Sequence, residues 1–495
     1  MKKILATLLA SAMTLTAFGG LVACGGSTEP TQKLGGSMDE LIVWAPESSH
    51  GSEGVDGYKS MIAGFKEQYP QYKDVKITFQ AQPEGEVETK LATDPAAGAD
   101  VFFFENGQTN NMLGKNLLQP LVGDLSKYAD AIKARDGEAT WKGVTNSNGQ
   151  VMAFPATNDN GWFLWYNKDF FTTDDVKSLD TMLAKAKTDG KKIMFNYGDG
   201  WYMPSFWQGA GNIMDFEVAA NGSKTYVTDI DNAKGKEVAK TLATMFKTYA
   251  SGSDATLIKP SSDMNSEIPN GMRAGSVVAG FIGTWVQNGG ERSFYNNGDT
   301  KIPTDVKPDW LSDGEWAILT EKGAKDEDGQ WKVNKNGNIV DEEGNEVKAP
   351  IAGMPEFAVP TACPTFKVGE NDVQMGTFYG GKYCGVNPRR VNKACAAAFA
   401  DWMTNENGQL VRYTKTKAGP TNKNLLETNA TIKNDKALSA LSQQISLGGY
   451  SQQSQASKFW DSMAAFGNAL ATKDCTVEAT LNTELDNLCR AMRLG

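Results

Sequence analysis

A chain of 495 residues suits roughly two to four domains and has ample length for large cores. Hydrophobic residues make up 40% and charged residues 22%, which excludes a wholly disordered or fibrous protein. Forty-nine Lys+Arg against 59 Asp+Glu leave a formal charge of −10, which argues against nucleic acid or anionic lipid as the main partner. The lone histidine, His50, excludes a His-rich metal site or an HExxH motif and allows at most one His-based dyad or triad. Any chemistry falls to carboxylates, while 12 Trp, 22 Phe and 14 Tyr supply much aromatic surface.

Lys2 and Lys3 precede an apolar run from Ile4 to Phe18, followed by Leu21, Val22, Ala23 and Cys24. This is the pattern of a secretory signal peptide over residues 1–23, too short for a structural membrane span. Leu-Val-Ala-Cys resembles the bacterial lipobox, which implies cleavage before Cys24 and lipidation of its thiol. Cleavage removes two lysines, taking the formal charge from −10 to −12. Residues 24–38 are rich in Gly, Ser, Thr and Pro without periodicity and read as a lipidated, flexible tether. A single acyl chain binds membranes only marginally, so stable anchoring takes a second. No later stretch reaches the ~18 apolar residues of a spanning helix.

The next run, LIVWAP (41–46), is short, apolar and ended by proline, as a buried parallel strand would be. Helical spacing of Tyr58, Met61, Ile62 and Phe65, a strand VKITFQ, a helix VETKLAT and a strand DVFFFE (100–105) follow, an α/β alternation. VMAFPA (151–156) and WFLWYNKDFF (162–171) bracket a polar break that reads as a crossing between lobes. A second α/β region runs through KKIMFNY (191–197), a long helix around GKEVAKTLATMFKTYA and SVVAGFIGTW (276–285).

Residues 321–349 are polar and read as a solvated insertion of two hairpins; Asp326, Asp328 and Gly329 only faintly resemble a calcium loop, without EF-hand spacing. Strands return around MGTFYGGKYCGVN, then a helix with Ala394, Ala398 and Trp402 on one stripe, and a last helix pair, FWDSMAAFGNAL and TVEATLNTELDNLCRAM. No internal repeat is visible. Five cysteines remain after Cys24, an odd number. Cys475 and Cys489 flank a helical pattern whose 14 residues at about 1.5 Å each span roughly 21 Å, beyond disulfide reach. Cys363 and Cys384 could meet on neighbouring strands, and no CxxC points to metal or redox work.

The lipobox, LIVWAP, GADVFFFE, FPATNDNGWFLWYNKDFF, AGFIGTW, KAGPTNKN and FWDSMAAFGNAL, in that order, resemble the bacterial ABC-transporter solute-binding lipoproteins of the maltose/maltodextrin (oligosaccharide) class. The resemblance covers nearly all of residues 41–492 apart from the insertion. It implies an α/β, two-lobed periplasmic-binding-protein type II fold with a hinge and a ligand cleft between the lobes. The first lobe would comprise 39–157 and 362–418, the second 158–361 and 419–495. Crossings would fall near Ala156–Asn160, Phe357–Thr361 and Ala418–Lys423.

By the same resemblance, Trp285 in IGTW and Trp460 in KFWDSM fall at sugar-stacking positions, and Trp201 or Tyr202 at a third. Pyranose C–H faces stack on such rings, and the hydroxyl rim wants carboxylates and amides. Glu105 and Asn106 end the FFF strand on the side where open α/β sheets bind ligands, and Glu47 holds the analogous place after the first strand. Asp159 or Asn160 stands where the family has a glutamate, a departure from strict maltodextrin recognition, and Asp199 lies near another carboxylate position. His50 reads as a solvated loop residue.

The implied function is a monomeric, non-catalytic receptor, lipid-anchored on the outer face of the cell membrane or in the periplasm. It would deliver maltose, maltodextrin or a related oligosaccharide to ABC permease subunits, without cofactor, metal or nucleic acid. Two readings compete: a secreted glycoside hydrolase with two carboxylates, opposed by the ordered match and the lack of a GxSxG-type nucleophile motif, and a surface lectin with the same aromatic site but no transporter.

Overall fold

The computed structural model describes residues 34–46, 61–218, 224–261, 263–287, 289–294, 296, 302–308, 311, 313–334, 337–451, 455–456 and 458–494. Cys24, Glu47, His50 and Tyr58 lie outside them. In chain order the strands are β1 (Glu40–Ala45), β2 (Lys76–Ala81), β3 (Val101–Glu105), β4 (Ala153–Asn160), β5 (Phe163–Asn167) and β6 (Lys192–Met194). Next come β7 (Met214–Val218), β8 (Lys224–Thr228), β9 (Leu257–Ile258), β10 (Val277–Ile282), β11 (Gly289–Ser293) and β12 (Lys348–Ala352). The last are β13 (Ala358–Thr361), β14 (Thr365–Val368), β15 (Asn371–Gln374), β16 (Thr377–Val386) and β17 (Gly449–Ser451).

Two mixed sheets carry the architecture. The first has the order β17-β16-β3-β1-β2, with β4 also pairing to β16; the second has the order β13-β5-β10-β6-β9. Both are buried on both faces, which is why their strands read as apolar runs rather than as an alternation. In the first sheet Leu41, Val43 and Phe103 point into one core with the helix Lys393–Thr404, while Trp44, Phe102 and Phe104 point into another. In the second, Leu164, Ile193 and Phe281 face one core and Phe163, Trp165, Met194 and Ile282 the opposite one. The helix Lys393–Thr404 buries Cys395 through Ala400 and Met403, so its inward face is broader than the expected stripe; Ala394 is exposed.

The chain crosses between the sheets where β4 ends at Asn160 and β5 begins at Phe163, close to the expected place. The second crossing departs from expectation. β13 pairs with β5 inside the second sheet, and Cys363, Phe366, Val368 and Met375 pack into the second sheet's core. The passage lies instead within β16: Phe378 belongs to that core, whereas Tyr383 and Cys384 pair with Phe104 and Phe103. The boundary falls at Gly380–Lys382 inside one continuous strand, where no loop or change of element marks it. For the third, Thr421 donates to Asp136 in the first lobe, 2.6 Å, and Asn422 caps the helix Lys423–Thr428. The chain then reaches the second sheet with the helix Lys436–Gly448, whose Ala437, Ala440 and Leu441 pack beneath it.

The polar insertion is more than solvated hairpins. Phe294, Leu319, Trp331, Ile339, Val347 and Ala349 form a separate small core, and β11 pairs with β12 at its base. The segment also holds a short repeat that the sequence reading missed. Asp326, Asn334 and Asp341 each open a turn whose side chain accepts the backbone N–H four residues on, and Gly329, Gly337 and Gly344 supply the positive φ that each turn needs. Ala324, Lys332 and Val340 close a ring of three backbone hydrogen bonds, and Phe294, Ile339 and Val347 close a second. Units of seven or eight residues with one apolar position each are too short and too varied to stand out by composition. Asp326 is a turn former here, and no described cluster of three His, Cys, Asp or Glu suits a metal.

The cysteines Cys363, Cys384, Cys395, Cys475 and Cys489 are free and buried. Cys363 and Cys384 lie in different cores.

Candidate functional site

The carboxyl ends of β1, β2 and β3 point toward the crossings, where an open α/β sheet presents its loops to a ligand. Glu105 ends β3 and Asn106 begins the turn after it. Opposite Glu105 in register stands Lys382 of β16, and on the other side of Lys382 stands Thr157 of β4. Lys382 Nζ lies 2.5 Å from the carboxylate of Glu84, which follows β2 and is 7% exposed. Burial alone would lower the Lys382 pKa, but the carboxylates of Glu84, Glu105 and Asp159 outweigh it and raise the value well above that of an ordinary lysine. Glu84 in turn is held from behind by Gln108, whose Nε2 donates to the Glu84 carbonyl, 2.6 Å.

Asp159 ties three segments together. Its carboxylate accepts from the Gly419 backbone N–H at 2.9 Å and from the Thr284 hydroxyl at 3.3 Å. The first crossing, the loop after β10 and the third crossing thus meet at one buried group, 7% exposed. Asn160 is opposite Gly380 in register. Trp285, next to Thr284, is half-buried, and its Nε1 donates to Asn265 Oδ1, 2.9 Å. A side chain at Gly283 would run into the Trp285 ring, so that glycine lets the indole fold back over the backbone.

The aromatic half lies on the second lobe. Trp201 and Trp460 are stacked, centroids 6.1 Å apart and planes 30° apart, and Phe378 touches both, at 5.6 Å and 5.2 Å. Gly200 makes this contact feasible, because a Cβ there would collide with the Trp460 backbone. Asp199 Oδ1 accepts the Trp201 N–H at 2.8 Å and so sets the loop; burial raises its pKa, partly offset by that bond. Tyr202, by contrast, is 4% exposed and tilted against Trp162 in the second core, with its hydroxyl on Met264 Sδ, so its ring is no open stacking face.

The structure therefore joins Glu105, Asn106 and Asp159 in a polar group beside the crossings, Trp201 and Trp460 in an aromatic group, and Trp285 to the polar group through Thr284. Phe378, Lys382, Glu84 and Thr284 escape the sequence reading. Two signals were there to find: the rule for strand ends, applied to β1 and β3, also points past β2 to Glu84, and a lysine amid Gly, Phe, Tyr and Cys in β16 is an anomaly for a buried strand.

The family described as bacterial extracellular solute-binding protein matches residues 60–440. The chain belongs to that family. Among curated relatives of this solute-binding protein, a maltooligosaccharide ABC transporter solute-binding lipoprotein of Streptococcus pneumoniae is 28% identical over 227 residues, 41% of this chain and 49% of its own. The match thus spans about half of that relative's length. A galactooligosaccharide-binding protein of Bacillus subtilis is 24% identical over 447 residues, 88% of this chain and 84% of its own. Among solved structures, a maltodextrin-binding protein from L. casei BL23 without ligand superposes with a TM-score of 0.62 at 21% identity, covering 93% of this chain and 100% of the other. At that identity the likeness carries the two-lobed α/β fold alone.

Proposed function

We propose that this solute-binding protein is the receptor of an ABC permease for a neutral oligosaccharide, with an α-glucan such as maltotriose as its ligand, and that it is a binder rather than an enzyme. The observation that carries the reading is the pairing of the Trp201–Phe378–Trp460 cluster with the carboxylate group around Lys382, both at the crossings. Rings accept the apolar face of any pyranose, and carboxylates and amides accept its hydroxyl protons. The relatives' sugars, maltooligosaccharide and galactooligosaccharide, support the ligand class. The lobes close on the sugar about the crossings, the first lobe built from 39–157 with the later part of β16 onward and the second from 158 to about Phe378 with the C-terminal helices. A diacylated Cys24 and the tether of residues 24–38 hold a monomer at the outer face of the membrane.

Titration calorimetry against maltotriose, maltotetraose, a galactooligosaccharide and a chitooligosaccharide tests the reading, with chromatography of the sugars afterwards. Stoichiometric binding of the α-glucans with unchanged sugars is expected. Binding of the galactooligosaccharide alone would move the ligand to the class of the Bacillus relative, and turnover would overturn the receptor reading.

A further inference from the structure

Three neighbouring strands of the second sheet end side by side. β10 pairs with β6 and β6 with β9, all in parallel, so their carboxyl ends lie along one edge, the edge where an open α/β sheet meets a ligand. β6 leads on to Trp201 and Tyr202, β10 to Thr284 and Trp285, and β9 to Asp263, which caps the helix Met264–Arg273. The first turn of that helix touches both aromatic loops: Asn265 Oδ1 accepts the Trp285 Nε1–H at 2.9 Å, and Met264 Sδ accepts the Tyr202 hydroxyl at 3.3 Å. Asp263 fixes the Asn265 amide in turn. Its Oδ1 accepts from the Asn265 backbone N–H, 3.0 Å, and from Asn265 Nδ2, 2.9 Å, while its Oδ2 accepts the Ser266 hydroxyl, 2.8 Å. A carboxylate only accepts and an indole nitrogen only donates, so Nδ2 has to face Asp263 and Oδ1 has to face the ring. The other edge of the indole lies against Gly283, where a Cβ would stand 1.9 Å from Cζ3. A contrast within the same lobe gives this clamp its meaning. Trp162 and Trp165 are buried with Nε1 lacking a hydrogen-bond partner, whereas Trp285 is half-buried, in reach of water, and yet has an acceptor built for it.

Resting on the saccharide reading above, we propose that Asn265, held by Asp263, is a positioning residue of the sugar site: it sets the Trp285 ring and engages its N–H, so that the ring meets a pyranose as a carbon surface at a fixed setting to the loop of Trp201. The relay Asp263–Asn265–Trp285 is assisted by the carboxylate charge, which strengthens each bond in it. Thr284 ties the same loop to Asp159 at the first crossing, so the ring is placed with respect to both lobes. Affinity gained from stacking depends on a ring that is already in place, because ordering a mobile indole on binding subtracts from it.

The test combines nuclear magnetic resonance of the 15N-labelled indoles with titration calorimetry, on the parent, Asn265→Leu, Trp285→Phe and the double variant, each checked to be folded. Calorimetry uses whichever of maltotriose and a galactooligosaccharide the parent binds. The indole signal that vanishes in Trp285→Phe belongs to Trp285. Asn265→Leu should move that signal and speed its exchange with solvent by about tenfold, and should weaken sugar binding by about tenfold. In the Trp285→Phe background there is no N–H to hold, and the same substitution should change affinity by about twofold or less. A loosened helix cap would cost the same in both backgrounds. An unmoved indole signal, full affinity in Asn265→Leu, or an equal loss in both backgrounds overturns the proposal and leaves the saccharide reading standing. Binding of neither sugar by the parent overturns both.

Discussion

Replacing Trp460 by alanine isolates the aromatic half of the site. The ring is half-buried, in contact with Phe459 at 5.0 Å, Phe378 at 5.2 Å and Trp201 at 6.1 Å. An indole that buries about half of a ~200 Å² surface contributes about 2.5 kcal/mol to folding at roughly 25 cal/mol per Å². On the proposed reading its exposed part stacks on a pyranose, and loss of such an anchor typically costs about 2 kcal/mol of binding, or roughly thirtyfold in affinity. Trp201→Ala should act similarly, and the double variant should fall short of the sum by about 0.5–1.5 kcal/mol, the coupling of an aromatic pair. Urea unfolding reads the first quantity, and titration with maltotriose on samples confirmed to be folded reads the second. Trp460→Phe keeps a ring and should recover most of the affinity. If Trp460→Ala loses stability as stated yet binds maltotriose as tightly as the parent, the ring is a core residue and the aromatic site is misassigned.

Asp199→Asn should raise the thermal midpoint by a margin that grows as pH climbs above about 4 and levels off beyond the raised native value: Asp199 costs stability as pH climbs from its unfolded value near 3.9 through the native one. A difference that stays flat or shrinks with pH refutes this account. Gly381→Ala places a Cβ 2.3 Å from the Thr157 carbonyl oxygen, a backbone clash that no rotamer relieves, and should destabilise by about 1–3 kcal/mol in urea titration. Cys24→Ser should shift the protein from the membrane fraction to the medium or periplasm; retention in the membrane counts against lipidation.

The apolar runs at Leu41, Phe102 and Phe281 read correctly as buried strands because burial on both sheet faces leaves a continuous hydrophobic signature. The third crossing, expected at 418–423, comes later: Leu425 and Ile432 still pack with Tyr413, and the chain reaches the second sheet's core at Ala437. The second crossing was placed some twenty residues too early, since β13 through Met375 carries the same residue types whichever lobe it packs on. The small core around Trp331 and Ile339 was read as a solvated loop because its apolar residues are outnumbered by the turn residues between them.

Local sequence determined the α/β alternation, the buried strands and the strand end where Glu105 and Asn106 stand. These are matters of composition, periodicity and chain direction, which a one-dimensional pattern records. Only the tertiary structure decided that Lys382 faces Glu84 across nearly 300 positions of chain, that Asp159 joins Thr284 to Gly419, that Phe378 completes the aromatic cluster, and that Tyr202 turns into the core while its neighbour Trp201 does not. A charge or a ring acquires its role from the field and the surfaces around it, and those are set by which distant strands the two sheets bring alongside.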